Sequence, residues 1–156
     1  MPQKRLDVLI EAFRGSDESL VVAGRGPWLD RLRARAPANV RFAGWVDDVR
    51  LRELYRSSRA LLCPSVEEFG IVMAEAHACG TPVIAPRAGG ACEIVDGPAT
   101  GILLDRIDAQ SLITAAQGVI RDGFDPEACR ASAERFSEAH FTARMQKIVD
   151  QELAVT

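Results

Sequence analysis

Short apolar runs alternate with amphipathic segments along the first two-thirds of the chain, and this alternation restricts the possible folds most strongly. The apolar runs predict strands at 20–24, 40–44, 60–63, 82–86 and 101–104. The segments between them predict helices at 4–14, 28–36, from Asp47 or Asp48 to about Arg56, from Gly70 to about Gly80, and at 91–95. Such alternation is typical of a parallel sheet with helices on both faces, which binds ligands beyond the carboxyl ends of its strands.

After Asp105 the pattern changes to helices alone. One is capped by Asp108 and runs to about Arg121, a second starts at Asp125-Pro126, and a third covers 137–153. The length of 156 residues fits one domain, 1–156, in which 106–156 forms a helical tail.

Composition excludes several classes of protein. With 47% hydrophobic residues, 26% charged residues and a net charge of −3, the chain resembles an ordinary globular domain. Lysines and arginines are dispersed, which argues against a nucleic-acid partner. No apolar run is long enough to span a bilayer. The four cysteines and two histidines lack metal-ligand spacing, so we predict no metal site, free thiols and a cytoplasmic location.

One glycine-rich turn resembles the start of a dinucleotide fingerprint. Gly24 and Gly26 fit G-x-G, but Leu29 stands where the third glycine is required. No acid follows the next strand to bind a ribose. We therefore interpret the segment as a strand-to-helix turn in which Gly26 has a positive φ and Pro27 opens the helix, with Arg25 lining the cleft.

The segment from Ala60 to Glu75 is the strongest candidate for a ligand site. An apolar run ends in Pro64-Ser65, Glu67 follows, and Gly70 opens a helix that carries Glu75. A helix start offers free amide groups to an anion. The two acids would be about 12 Å apart if every intervening residue were helical. This spacing suits a ligand whose charged middle lies on the helix start.

Other residues have simpler interpretations. Glu68 is expected to be a solvated acid at a helix start, and His77 to be structural. Gly89-Gly90 could be turn glycines or allow a ligand to approach the backbone. Core packing is expected for Phe13, Phe42, Met73, Phe141 and Met145.

The chain resembles the nucleotide-binding, C-terminal half of the group 1 (family 4) retaining glycosyltransferases of GT-B architecture. The spacing of Glu67 and Glu75 matches the E-x7-E motif of that family. Matching segments are 4–13, 21–27, 39–44, 64–76, 80–85, 89–90 and 93–95.

The resemblance implies a Rossmann-like parallel sheet of about five strands, forming half of a GT-B fold, and a nucleotide-sugar donor. Lys4 then contacts the donor diphosphate and stabilises the leaving group, while Glu67 faces the transferred sugar; these two are the catalytic residues. Glu75 holds the ribose hydroxyls, and Trp45 and Val46 border the base. The remaining donor-binding residues are Phe69, Gly70, Ile71 and Val72.

The resemblance also implies transfer of a hexose with retention of configuration, with the leaving phosphate as base and without a cofactor. The donor would be GDP-mannose or a UDP-sugar. Segments 69–72 and 78–82 resemble mannosyltransferases that use GDP-mannose. The expected pathway is cell-envelope polysaccharide or glycolipid synthesis.

Three features of the family are without a match among the given residues. We expect the chain to lack the N-terminal acceptor-binding domain, the first central strand that would precede Lys4, and the arginine at the end of that strand. Strands 20–24 and 60–63 should therefore flank an empty slot or close on each other. We expect the chain to be a fragment that binds donor weakly, transfers no sugar alone, and reaches the inner face of the membrane through the missing half. The alternatives are a non-catalytic nucleotide-binding module and an NAD-dependent oxidoreductase.

Overall fold

The computed structural model describes residues 4–154 and confirms the order of strands and helices. The strands are β1 (Leu20–Ala23), β2 (Val40–Gly44), β3 (Leu61–Leu62), β4 (Val83–Pro86) and β5 (Gly101–Leu104). The helices are α1 (Leu6–Ala12), α2 (Leu29–Arg33), α3 (Asp48–Ser57), α4 (Ile71–Ala78), α5 (Ala91–Ile94), α6 (Ala109–Asp122), α7 (Pro126–Glu134) and α8 (Glu138–Ala154).

The five strands form two parallel sheets instead of the single sheet that the pattern predicts. One sheet pairs β1 with β2, and the other has the order β3-β4-β5. All pairs are parallel, with Leu20 opposite Val40 in the first sheet and Val83 opposite Gly101 in the second. Because β1 and β3 do not pair, they do not close on each other. Hydrophobic periodicity predicts a strand but not its neighbour, which explains this difference.

Two hydrophobic cores lie against opposite faces of β4, in which every residue is buried. Ile84 belongs to the core that α1, β1, β2 and α6 build. Val83 and Ala85 belong to the core formed with α4 and α5. Successive side chains of a strand point to opposite faces, so one short strand supports both cores. The first core contains residues of both sheets and joins them.

Aspartates begin three of the helices, as the sequence predicts. The carboxylates of Asp47, Asp108 and Asp125 each accept a hydrogen bond from a backbone amide in the first turn of α3, α6 and α7. Each cap satisfies an amide that has no partner inside the helix.

Two helices are shorter than predicted. The predicted helix 4–14 begins only at Leu6, because Arg5 has a left-handed backbone with φ of 48°. In the predicted helix 28–36, only Leu29–Arg33 is helical. The positive φ of the preceding turn lies at Gly24 and not at Gly26, so our interpretation of that turn was wrong in this detail.

The last helix corrects the predicted core. Phe13 and Met73 are buried, as expected. Phe141 and Met145 lie on α8, and their side chains are 64% and 44% exposed. No residue of 138–153 is buried, so the amphipathic pattern of α8 does not place it in either core.

Two further observations concern the cysteines and the hydrophobicity of the helices. All four cysteines are free thiols, as predicted. Among residues 4–154, no helix is long and apolar enough to cross a membrane.

His77 is fully buried on α4, and its pH response is a test of the fold. Its Nε2 is 2.9 Å from the Thr100 carbonyl oxygen, and its Nδ1 has no hydrogen-bond partner within the described part of the chain. Burial lowers the pKa of His77; Thr100 and Asp96 oppose this effect, and Arg135 adds to it. The unfolded chain therefore takes up the proton first as the pH falls below about 6.5, and the free energy of unfolding decreases.

We expect His77→Gln, which can still donate to Thr100, to flatten the dependence of unfolding free energy on pH between 5 and 7. The lost slope should be at most about 1.4 kcal/mol per pH unit. Urea unfolding at several pH values measures it. His140→Gln, at an exposed position of α8, replaces the other histidine by the same residue and is the matched control with which the slope of His77→Gln is compared. Equal slopes in His77→Gln and wild type would contradict the prediction.

Candidate active site

Only one oxygen of the Glu67 carboxylate is hydrogen-bonded within the described part of the chain. Its Oε1 accepts a hydrogen bond of 2.7 Å from the Ser65 hydroxyl and lies 2.6 Å from Lys4 Nζ. Oε2 has no hydrogen-bond partner among the described residues. The structure thus brings together two predicted site residues that lie 63 positions apart in sequence. The free oxygen can accept a hydrogen bond from a ligand.

The surroundings of Glu67 keep it ionised. Burial alone would raise its pKa, but the hydrogen bonds from Lys4 and Ser65 and the charge of Lys4 hold the pKa of Glu67 below its usual range. Beneath it, burial and the Glu67 charge raise the pKa of the Cys63 thiol to about 12. Cys63 therefore stays protonated at neutral pH and is not a nucleophile.

Residues 66–70, which we call the Glu67 loop, rest on the turn at Gly89-Gly90. The Gly90 amide donates a hydrogen bond of 2.8 Å to the Glu67 carbonyl oxygen. A Cβ atom at Gly90 would lie 2.5 Å from the Phe69 carbonyl oxygen. The left-handed φ of 61° at Gly89 agrees with the interpretation of these residues as turn glycines, and the group packed against them is the Glu67 loop of the chain itself. The approach of a ligand to this backbone stays a prediction.

The loop leads directly into α4. Gly70 is the N-cap with a left-handed φ of 75°, and the helix begins at Ile71, so only part of the segment between Glu67 and Glu75 is helical. Phe69 and Ile71 are 82% and 69% exposed, and Val72 is exposed as well. Large apolar side chains therefore surround the first amides of α4 without being packed into a core.

Glu75 lies one turn into α4, where Tyr55 of α3 contacts it. The Tyr55 hydroxyl donates a hydrogen bond of 3.1 Å to Glu75 Oε2. Burial and the nearby Glu75 carboxylate raise the pKa of Tyr55, so the hydroxyl remains a donor. The sequence does not predict this bond. Ser65 lies within the matching segment 64–76, but its hydrogen bond to Glu67 was not predicted.

Trp45 and Val46 lie where the chain leaves β2. Trp45 follows Gly44 directly and is 64% exposed, whereas Val46 is half-buried. The side chain in contact with the Trp45 ring is Arg25, whose guanidinium carbon is 5.9 Å from the ring centroid. The predicted role of Trp45 and Val46 at the base stays a prediction.

Within residues 4–154, no three His, Cys, Asp or Glu side chains are grouped so that they could hold a metal ion. The acids of the candidate site lie with Lys4, Ser65 and Tyr55 instead. The arrangement offers one cation, two carboxylates and a helix start, which suits a polyhydroxylated anion.

Comparison with known proteins identifies the class to which this fold and site belong. The family model described as "Glycosyl transferases group 1" matches residues 1–139. The chain belongs to this family of glycosyltransferases. Its parallel sheets flanked by helices are similar to a GT-B glycosyltransferase domain, which confirms the predicted fold class.

Individual relatives agree with this assignment. A GDP-mannose-dependent alpha-(1-6)-phosphatidylinositol monomannoside mannosyltransferase of Mycolicibacterium smegmatis is 32% identical, over 78% of this chain and 37% of that protein. A GDP-mannose-dependent alpha-mannosyltransferase of Corynebacterium glutamicum is 32% identical, over 85% of this chain and 32% of its own length. The chain thus spans about a third of these two relatives.

A solved structure matches the whole chain. Sucrose-phosphate synthase from Thermosynechococcus elongatus superposes with a TM-score of 0.79 at 27% identity, over 100% of this chain and 44% of that one. The match supports the predicted half of a GT-B fold.

We expect Gly90→Ala to disturb the Glu67 loop, because the new Cβ would overlap the Phe69 carbonyl oxygen. The free energy of unfolding should fall by about 1–3 kcal/mol, as is usual for overpacking. Gly97→Ala is the matched control, since a Cβ there meets nothing within 4 Å. Denaturant unfolding of both variants checks the prediction, which fails if Gly90→Ala is as stable as Gly97→Ala.

Proposed function

We propose that this chain is the donor-binding half of a retaining hexosyltransferase that transfers mannose from GDP-mannose to an acceptor. The observation that carries the proposal is the Glu67 carboxylate, which lies in the loop between β3 and α4; one oxygen is fixed by Lys4 and Ser65, and the other has no partner among residues 4–154. A fixed acid with one open oxygen suits the hydroxyl groups of a sugar. Family membership supports the transferase activity.

In this proposal each site residue binds one part of the donor. Glu67 Oε2 accepts a hydrogen bond from a hydroxyl group of the sugar. The exposed ammonium group of Lys4 binds the diphosphate. The first amides of α4, between Phe69 and Val72, add hydrogen bonds to the sugar and phosphates. Glu75, oriented by Tyr55, binds the ribose hydroxyls.

Trp45 and Val46 border the base in this arrangement, and α3 provides a geometric argument for it. The helix begins three residues after Trp45, and its Tyr55 bonds Glu75. Seven residues of helix span about 10 Å, so a single element connects the proposed base and ribose positions. The names of two relatives support guanine as the base and mannose as the sugar.

We propose that an N-terminal acceptor-binding domain completes the site, that the chemical step uses no cofactor or metal ion, and that the isolated chain transfers no sugar. The leaving phosphate would act as the base, and configuration would be retained. A cytoplasmic location at the inner face of the membrane fits a product used in polysaccharide or glycolipid synthesis.

Thermal shift measurements with GDP, UDP, ADP and NAD test the donor class directly. A ligand that binds only the folded state raises the melting temperature. We expect the largest rise with GDP. A rise with NAD alone would overturn the proposal in favour of an oxidoreductase. Addition of an N-terminal-domain partner in a transfer assay separates an enzyme half, which gains activity, from a non-catalytic binding module, which does not.

We expect Glu75→Ala to lower the affinity for GDP at least about tenfold, because charge-assisted hydrogen bonds to the ribose would be lost. Isothermal titration calorimetry measures the change. Glu68→Ala is the matched control, since Glu68 is an exposed acid beside the same helix start, and it should bind like wild type. Equal affinities of Glu75→Ala and Glu68→Ala would exclude the ribose role.

A further inference from the structure

Arg25 and Trp45 are brought together by strand pairing and not by chance contact of two loops. Ala23 at the end of β1 is opposite Gly44 at the end of β2. The Gly24 amide continues this pairing with a hydrogen bond of 2.6 Å to the Gly44 carbonyl oxygen. Arg25 and Trp45 follow immediately, so the backbone fixes both where they leave the sheet.

The Arg25 side chain has hydrogen-bonding capacity that the described part of the chain does not use. No carboxylate of residues 4–154 lies within ion-pair distance of its guanidinium. Other arginines are paired with acids, for example Arg87 with Asp105 and Arg50 with Glu53. A guanidinium has five N–H donors in one plane, and those of Arg25 point into an exposed region.

The Trp45 ring is open to a second planar group. The guanidinium carbon lies 5.9 Å from the ring centroid, near the limit of a cation–π contact and beyond the 3.5–4.0 Å of direct stacking. The guanidinium is therefore not stacked directly on the indole. With 64% of Trp45 exposed, a planar base can stack on the indole with its edge toward Arg25.

We propose that Arg25 determines the choice of base: it donates two parallel hydrogen bonds to the edge of a guanine that is stacked on Trp45. Guanine has two neighbouring acceptors, O6 and N7, that match the guanidinium donors. Adenine places an amino group beside N7, and uracil has no N7, so both match poorly. The inference rests on the proposed function, because it assumes that this site binds a nucleoside diphosphate.

Calorimetric titration of the 156-residue chain with GDP, UDP and ADP tests this assignment. Wild type should prefer GDP over UDP at least tenfold. Arg25→Gln should weaken GDP binding at least tenfold and change UDP binding less than twofold. Arg25→Lys keeps the charge but loses the planar pair of donors, so it should also lose most of the preference.

Arg31→Gln is the matched control. Arg31 lies over Trp28, with its guanidinium carbon 4.9 Å from that ring centroid, and should contribute to neither affinity. Equal losses for GDP and UDP in Arg25→Gln, or a wild-type preference in Arg25→Lys, would overturn the assignment, since Arg25 would then act by charge alone. Unchanged binding in Arg25→Gln would overturn this inference and leave the proposed function standing. A wild type that binds none of the three nucleotides would overturn both.

Discussion

The structure depends on β4, a four-residue strand that is buried on both faces. Its neighbours β3 and β5 are paired to it, and its alternating side chains reach two separate cores. Burial on both faces demands an uninterrupted apolar strand, which Val83-Ile84-Ala85 provides. The strand ends at Pro86, and the turn that follows carries the glycines under the Glu67 loop. The short segment from β4 to Gly90 therefore connects the packing of the cores to the position of the Glu67 loop.

Backbone contacts, more than side chains, set the position of the catalytic candidate. The Glu67 carbonyl oxygen is bonded to the Gly90 amide, and the adjacent loop leaves no space for a side chain at Gly90. The side chain then adds a second restraint through Ser65 and Lys4. Such preorganisation reduces the reorganisation needed when charge changes in a reaction. The close approach of the Phe69 carbonyl oxygen also explains why position 90 needs glycine, although any residue could adopt its backbone φ of −59°.

The sequence predicts local structure well because periodicity and capping are local. The strands β2 and β5 were predicted with their observed ends. Helix starts were predicted at Asp47 or Asp48, at Asp108 and at Asp125, and the structure has aspartate caps at Asp47, Asp108 and Asp125. The division into two sheets depends on pairing between distant segments, which periodicity does not encode. Similarly, the motif predicts Glu67 and Glu75 as site residues, but it does not predict their hydrogen bonds with Ser65 and Tyr55. The left-handed Arg5 was missed because arginine carries no signal for a positive φ.

The exposed apolar surface of α8 has an energetic consequence. A 17-residue helix is marginally stable by itself in water, and most helical stability in proteins comes from packing an apolar face. Because none of residues 138–153 is buried, the helix receives little of that stabilisation. Its amide hydrogens should exchange with solvent far faster than those of β4, through opening events that leave both cores intact. We therefore expect α8 to unfold independently of the α/β unit that precedes it.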